Sequence, residues 1–248
     1  PALQLDDGVR PKVSICIPYY NHPLHLPQLL TSINKLDYPD LEVIVCNDGS
    51  PSAAANRIFK ELQSEYVSNS WTFFTQENSG VGAARNKAAS KATGDYIVFM
   101  DADNLARPEM LNVMVKAMRC SKADALTSYF MAFSSDKMPG RDGDADYLYR
   151  PLGAFSQMGL FDNTFGDANS ILKRTVFEAL GGFTTDRSTS FEDWEFFLYL
   201  VYKGYDLDVI PLEIFWYRHL QDGFSRITNN YSNHMRAIRR VLEDTPRV

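Results

Sequence analysis

Cysteine is scarce in this 248-residue chain, and the three that occur, Cys16, Cys46 and Cys120, form no C-x-x-C pair. Their spacing offers no paired-thiol motif. Cys16 and Cys46 sit inside apolar runs, where a thiol behaves as a small hydrophobe. This usage points to a reducing, cytoplasmic compartment. Long hydrophobic runs are missing too: none approaches the roughly 18 residues of a membrane-spanning helix, and no signal-peptide pattern opens the chain. Any placement at the cytoplasmic face of a membrane would come through parts outside this sequence, which starts on Pro1 rather than methionine and reads as a piece of a longer protein. A basic block is also lacking, and the net charge of −6 argues against a general nucleic-acid surface. No internal repeat or low-complexity segment occurs.

What is present is an ordinary globular composition, 45% hydrophobic and 23% charged, enough to bury a core in one large domain or two small ones. Residues 1–11, polar with two prolines, read as a linker. From there strand and helix patterns alternate. Val13 to Ile17 is an apolar strand stopped by Pro18, and Leu26, Leu29, Leu30 and Ile33 follow at helical spacing. Leu41 to Cys46 is a second strand, after which Ser50 before Pro51 marks a helix start. Trp71 to Thr75 is a third strand, Val81 to Lys91 an alanine-rich helix ended by Gly94, and Tyr96 to Met100 a fourth strand. Such alternation implies a parallel sheet with helices on its faces.

Past Pro108 a helix carries Met110, Leu111, Met114, Val115 and Met118 inward, and Ala123 to Phe133 is strand-like. Residues 134–150 hold four aspartates, two glycines and few apolar groups, the composition of a mobile loop or lid. The pattern then predicts a strand from Ala168 to Leu172, a helix from Arg174 to Leu180 and a helix from Glu192. Strands from Leu207 to Ile210 and from Glu213 to Tyr217 precede a last helix over about Asn230 to Leu242.

This order aligns four strand ends along one rim: Pro18-Tyr19-Tyr20-Asn21, Asn47-Asp48-Gly49-Ser50, Glu77-Asn78-Ser79-Gly80 and Asp101-Ala102-Asp103. Ligands of open α/β sheets bind at the carboxyl ends of strands. Asp101-x-Asp103 can hold a hard cation such as Mg²⁺ or Mn²⁺, whose other positions go to water and substrate phosphates. A tyrosine ring can stack on a base, and an aspartate can accept from a ring N–H or a ribose hydroxyl. Each piece alone has a plainer reading: a turn with a helix cap at Asp48 to Pro51, a strand stop at Pro18, solvated loop charge at Asp101 and Asp103.

Gly80-Val81-Gly82-Ala83-Ala84-Arg85 imitates the dinucleotide fingerprint G-x-G-x-x-G. Two features oppose that: Arg85 holds the third glycine position, and the motif follows a third strand rather than the first. Arg85 then lies either on a solvated helix face or near a nucleotide as positive charge. Phe191-Glu192-Asp193-Trp194-Glu195 offers a carboxylate to take a hydroxyl proton, while Ser190-x-x-Asp193 also matches a capping box. His219 ends a predicted strand and is either a metal or phosphate contact or an ordinary surface histidine. Arg218 and Arg226 carry charge suited to a diphosphate.

The ordered set Val13-Ser14-Ile15-Cys16-Ile17-Pro18-Tyr19-Tyr20-Asn21, Asn47-Asp48-Gly49-Ser50, Asn78-Ser79-Gly80 with Ala84-Arg85-Asn86, Asp101-Ala102-Asp103, Gly181-Gly182-Phe183 and Glu192-Asp193-Trp194 closely resembles glycosyltransferase family 2. The resemblance implies an α/β protein of the GT-A fold, with a Rossmann-like, mostly parallel twisted sheet and helices on both faces. It implies one domain over residues 12–248, in which 12–107 bind the nucleotide sugar and 108–248 the acceptor. The implied activity is metal-dependent, inverting transfer of a hexose from a nucleoside-diphosphate sugar, UDP-linked, to a hydroxyl of a glycan or glycolipid, as in polysaccharide biosynthesis. By position, Pro18, Tyr20, Asn21, Asn47 and Asp48 would line the base and ribose, with Gly80 and Arg85 beside them. Asp101 and Ala102 would lie near the ribose and sugar. Asp103 would be the direct ligand of Mn²⁺ or Mg²⁺, with Asp101 and His219 as further metal contacts. Asp193 would be the general base, and Glu192 would orient the acceptor or the sugar. The usual Asp-Asp-Gly-Ser of the family reads Asn47-Asp48-Gly49-Ser50 here, so the base contact would rest on Asp48. The alternative is a non-catalytic sugar-nucleotide or glycan-binding module of the same fold. Glu192-Asp193 favours the transferase, and the lack of a lysine-rich triphosphate loop disfavours a nucleotidyltransferase.

Overall fold

Strand β1 (Val13–Tyr19) is buried along its whole length and divides its side chains between two cores. Val13, Ile15 and Ile17 pack with Leu26, Leu29, Leu30 and Phe59 on one face, whereas Cys16 packs with Ala84, Ala88 and Phe183 on the other. That split follows from the two-residue period of a strand covered on both sides. The coordinates are a computed structural model, which describes residues 10–69, 71–187, 191–219, 235 and 237–245.

The remaining elements run in the order α1 (Leu26–Ile33), β2 (Leu41–Asn47), α2 (Ala53–Glu65), β3 (Thr72–Thr75), α3 (Val81–Ala89), β4 (Tyr96–Phe99), β5 (Leu105–Ala106) and α4 (Met110–Cys120). The second half contributes β6 (Ala125–Phe133), β7 (Tyr147–Tyr149), α5 (Ser156–Gly159), β8 (Ile171–Lys173), α6 (Arg174–Ala179), α7 (Glu192–Tyr202), β9 (Leu207–Arg218) and α8 (Arg239–Asp244). The sheet order is β3-β2-β1-β4-β8-β6-β9-β5, with β7 on β6. β3, β2, β1 and β4 are parallel neighbours. β8 joins antiparallel beside β4, and β6 pairs parallel with β9. The chain steps outward one way from β1 to β2 and β3, then the other way to β4, so a crevice opens at the carboxyl ends of β1 and β4. This is the rim on which the expected motifs fall.

Several local expectations are corrected. Ser50 does not cap α2: Ser52 does, accepting from Ala55 N at 3.4 Å. The Ser50 hydroxyl is instead committed to Asn47 Oδ1 at 2.7 Å and to Asn21 N at 3.0 Å, which ties the first two strand ends together. The two expected strands over 207–217 form one strand, β9, whose register against β6 shifts between Ser128 and Tyr129, the step from Ile210 to Glu213 that contains Pro211. Residues 134–150 are not wholly irregular, since Asp142–Asp144 makes a 3₁₀ turn and β7 pairs with β6. The strand expected at Ala168 to Leu172 is shorter and later, because Ala168 to Ser170 turn toward the rim instead. The described part of the last helix is α8; the expected helix start near Asn230 and the linker residues 1–9 lie outside the described residues. Among the described residues, no helix is long and apolar enough to cross a membrane.

The glycines of the 80–85 segment serve packing and backbone geometry. Gly80 sits at φ +93, a conformation that L side chains rarely adopt, and a Cβ on Gly82 would lie 2.1 Å from Thr184 O. Neither requires a dinucleotide.

The middle of α7, from Trp194 to Leu198, is buried, including Glu195, which is 3% exposed with Oε2 unpartnered. Burial pushes its carboxyl from 4.5 up to about 7. The folded chain therefore keeps a proton that the unfolded chain releases, so this stabilisation is full below pH 4.5 and is lost as pH rises through 7. Urea unfolding of Glu195→Gln should show the wild type losing roughly 3 kcal/mol relative to the variant between pH 4.5 and 7.5. Parallel pH profiles would contradict this.

Candidate functional site

At the end of β1 the chain turns through Asn21, whose φ of 59 is the only positive value at a non-glycine among the described residues. Its side-chain Oδ1 is buried without a partner. A strained residue with a free acceptor, fixed by the Ser50 bond to its N–H, is a place where a ligand donor would be satisfied. Pro18 is buried and Tyr20 half-buried beside it.

At the end of β2 the two polar residues do different work. Asn47 is fully buried; its Oδ1 accepts from Ser50 N and Oγ, and its amide donates to Asn56. Asp48, 3% exposed, accepts from Gln76 Nε2 at 2.8 Å, Ser79 N at 2.8 Å, Gly80 N at 2.9 Å and Asn78 Nδ2 at 3.3 Å. Those four donors use about all the lone-pair sites of a carboxylate. Asp48 thus anchors the loop entering α3, and Gly49 lets the backbones meet, since a Cβ there would lie 2.7 Å from Asn78 N. Asp48→Ala should cost about 3 kcal/mol in urea unfolding, because four half-buried N–H donors lose a charged acceptor. A loss under about 0.5 kcal/mol would contradict the anchoring role.

β4 ends at Asp101. Its backbone N–H donates to Asn169 Oδ1 at 3.0 Å, and its Oδ1 accepts from Arg85 Nη2 at 2.6 Å. The same guanidinium reaches Glu192 Oε1, at the start of α7, at 2.6 Å. Arg85 is only 3% exposed, so the solvated-face reading of this residue is wrong; its charge is shared between two carboxylates.

Asp103 is bonded through its side chain to no other side chain among the described residues, and burial together with the Asp101 charge pushes its carboxyl up to about 7. Arg218 touches only its carbonyl, at 2.8 Å. That arginine is 1% exposed, lies over Phe133, and is further bonded to Gln28 and the Ser135 carbonyl, so it is a structural tie rather than a free cation for a diphosphate. Arg226 lies outside the described residues. Crowded carboxylate oxygens lacking a direct positive partner suit a hard divalent cation. The expected trio of Asp101, Asp103 and His219 is not assembled as a ligand set, since no three His, Cys, Asp or Glu among the described residues converge to hold a metal ion. His219 Nε2 is held instead at 2.8 Å by Asp146 of the acidic loop.

Asp193 lies in the first turn of α7, where burial, then Glu192 and Asp167, raise its carboxyl well above the usual range. Its Oδ1 accepts from Trp194 N at 2.8 Å, and the buried Trp194 fixes the turn by donating to Gly159 O at 2.7 Å. Phe191 holds the N-cap position; Ser190, the expected capping residue, lies outside the described residues.

Asp167 and Asn169 were not singled out by the sequence. Asp167 Oδ1 accepts from Asn169 N at 2.9 Å, and its carboxyl is pushed up to about 6 by burial and by Asp101. It therefore sits between the Asp101 side and the Asp193 side of the rim. The available signal was the turn composition of Gly166-Asp167-Ala168-Asn169 just before β8. Sequence alone did not place β8 beside β4.

Comparison with known proteins bears on this geometry. Residues 14–181 match the family model described as Glycosyl transferase family 2. The chain belongs to this family. The chain is similar to glycosyltransferase GlyA of Streptococcus pneumoniae, 29% identical over 154 residues that cover 61% of this chain and 20% of GlyA. Glycosyltransferase YwdF of Bacillus subtilis is 26% identical over 234 residues, covering 94% of this chain and 82% of YwdF. The chain spans 40% of the length of a third relative, EpsH of Bacillus subtilis. In fold it is similar to a mannosyltransferase of Pyrobaculum calidifontis solved with GDP-Man and Mn²⁺, at TM-score 0.72 and 22% identity over 97% of this chain and 67% of that one. It is also similar to S. aureus TarS 1-349 solved with UDP-GlcNAc, at TM-score 0.68 and 18% identity over 93% and 65% of the two chains. These likenesses are those of a mixed α/β GT-A architecture.

Proposed function

We propose that this chain transfers a sugar from a nucleoside-diphosphate sugar to an acceptor hydroxyl, with inversion at the anomeric carbon and Asp193 as the general base. The observation that carries this reading is the arrangement of three carboxylates, Asp101 and Asp103 after β4 and Asp193 at the start of α7, joined through Arg85 and Glu192. Asp193 removes the acceptor proton as the hydroxyl attacks the anomeric carbon, and the bond to the diphosphate breaks on the opposite face. Its raised affinity for a proton makes it a stronger base than an exposed aspartate. A divalent cation, Mn²⁺ or Mg²⁺, would supply charge neutralisation for the departing diphosphate, with Asp103 and Asp101 as the residues that hold it.

The donor is proposed to be UDP-linked, in line with the UDP-GlcNAc bound by one structural neighbour; the GDP-Man of another keeps the guanine donor in the test. Asn21 Oδ1 and the Tyr20 ring are the groups on this chain that would meet the nucleoside, and the acceptor is a glycan or glycolipid hydroxyl. Thermal-shift measurements with UDP-glucose, UDP-GlcNAc, GDP-mannose and the free nucleotides, with and without Mn²⁺, check this directly. One sugar nucleotide should raise the melting temperature only with the metal, and no shift with any of them would contradict the reading.

A further inference from the structure

Arg85 carries the shortest pair of ion contacts in the site. Nη1 donates to Glu192 Oε1 and Nη2 to Asp101 Oδ1, both at 2.6 Å, and the guanidinium lies 5.3 Å from the centre of the Phe183 ring. The two acceptors belong to different parts of the fold. Asp101 follows β4 at the switch point of the sheet, and Glu192 is the first residue of α7, next to the proposed base. We propose that Arg85 is a positioning residue that sets the distance between the base on α7 and the cation-side carboxylates after β4, by gripping Glu192 and Asp101 with separate nitrogens.

The inference rests on the transfer reaction proposed above and gives Arg85 a different job from a nucleotide contact. Both outer nitrogens are occupied by protein and the residue is 3% exposed, so the nitrogen left without a partner is the buried Nε. Its planar fork can hold two carboxylates in fixed directions, whereas a lysine ammonium is a point charge on a flexible stem. An attack on an anomeric carbon depends on the base and the leaving group being correctly spaced, and a misplacement of about 1 Å costs on the order of a hundredfold in rate.

The test compares Arg85→Lys, Glu192→Ala and the double variant with the wild type, after melting curves confirm that each is folded. Arg85→Lys should bind UDP or GDP with Mn²⁺ within about threefold of wild type, yet lose about a hundredfold in kcat for turnover of the sugar nucleotide, with KM nearly unchanged. Glu192→Ala should act in the same direction, and the double variant should be no worse than the worse single one. Hydrogen exchange of the amides over 192–196 should speed up in Arg85→Lys without any ligand present. Wild-type kcat in a folded Arg85→Lys, a nucleotide affinity that falls in step with kcat, additive losses, or unchanged exchange would each overturn the positioning role. Failure of the wild type to bind or turn over any nucleotide would instead overturn the transfer reading, and the exchange experiment would still decide whether Arg85 holds α7.

Discussion

Asp193→Asn is expected to lower kcat for sugar transfer by about 10³-fold while leaving nucleotide affinity within about twofold. The substitution keeps the shape of the side chain and its bond from Trp194 N, so the first turn of α7 stays in place. What it removes is the ability to take a proton. In the wild type, burial and the neighbouring Glu192 and Asp167 charges raise the carboxyl, so kcat/KM should rise with pH as Asp193 loses its proton, and this rise should vanish in the variant. The same raised affinity for a proton means that the ionised form is unfavourable in the folded chain. Stability from this group is present below the ordinary carboxylate range and is lost as pH climbs, so Asp193→Asn should be at least as stable as wild type at pH 8. Rate and melting temperature therefore move in opposite directions, which separates loss of a base from loss of the fold. Near-normal transfer with intact binding would sink the assignment.

Asp103→Asn is the second change expected to be severe. The Asp103 carboxylate lacks a direct side-chain partner among the described residues, and burial, with the Asp101 charge second, raises it to about 7. An amide relieves that repulsion but offers a cation a much weaker ligand. The variant should fold normally, bind nucleotide equally well with and without Mn²⁺, and turn over about 10³-fold more slowly than wild type. Removing divalent metal from the wild type with a chelator should produce the same loss, and the chelator should do little more to the variant. A wild type that is indifferent to the chelator would show that these carboxylates do something other than hold a cation.

The parts of the fold that a strand or helix period encodes were legible in the sequence. The apolar run into Asp101 and the start of α7 at Glu192 stand where the patterns put them, whereas β1 runs past the expected stop at Pro18 to Tyr19, with Pro18 paired to Cys46 of β2. Contacts made across the chain were not legible. Arg85 lies in an alanine-rich helix that reads as having a polar outer face, and only the approach of β4 and α7 explains why a charged side chain is buried there. Asp167 and Asn169 reach the site because β8 pairs antiparallel with β4, a long-range register that no local spacing announces. Asp48 was read as a ligand contact from its place at a strand end, whereas its carboxylate is filled by loop N–H groups whose positions depend on Gly49 and the turn after β3. His219 lies just past the end of its strand, and the partner it meets there is Asp146, supplied by the acidic loop before β7.

The central claim, that these strand ends and the α7 carboxylate perform inverting sugar transfer, is tested most directly by product analysis. The protein would be incubated with Mn²⁺, an α-linked UDP-sugar or GDP-mannose identified by the binding screen, and an acceptor glycan, and followed by NMR. The expected result is release of the nucleoside diphosphate together with a β-linked product, both lost in Asp193→Asn. Release of pyrophosphate, or a product that retains the α configuration, would contradict the account.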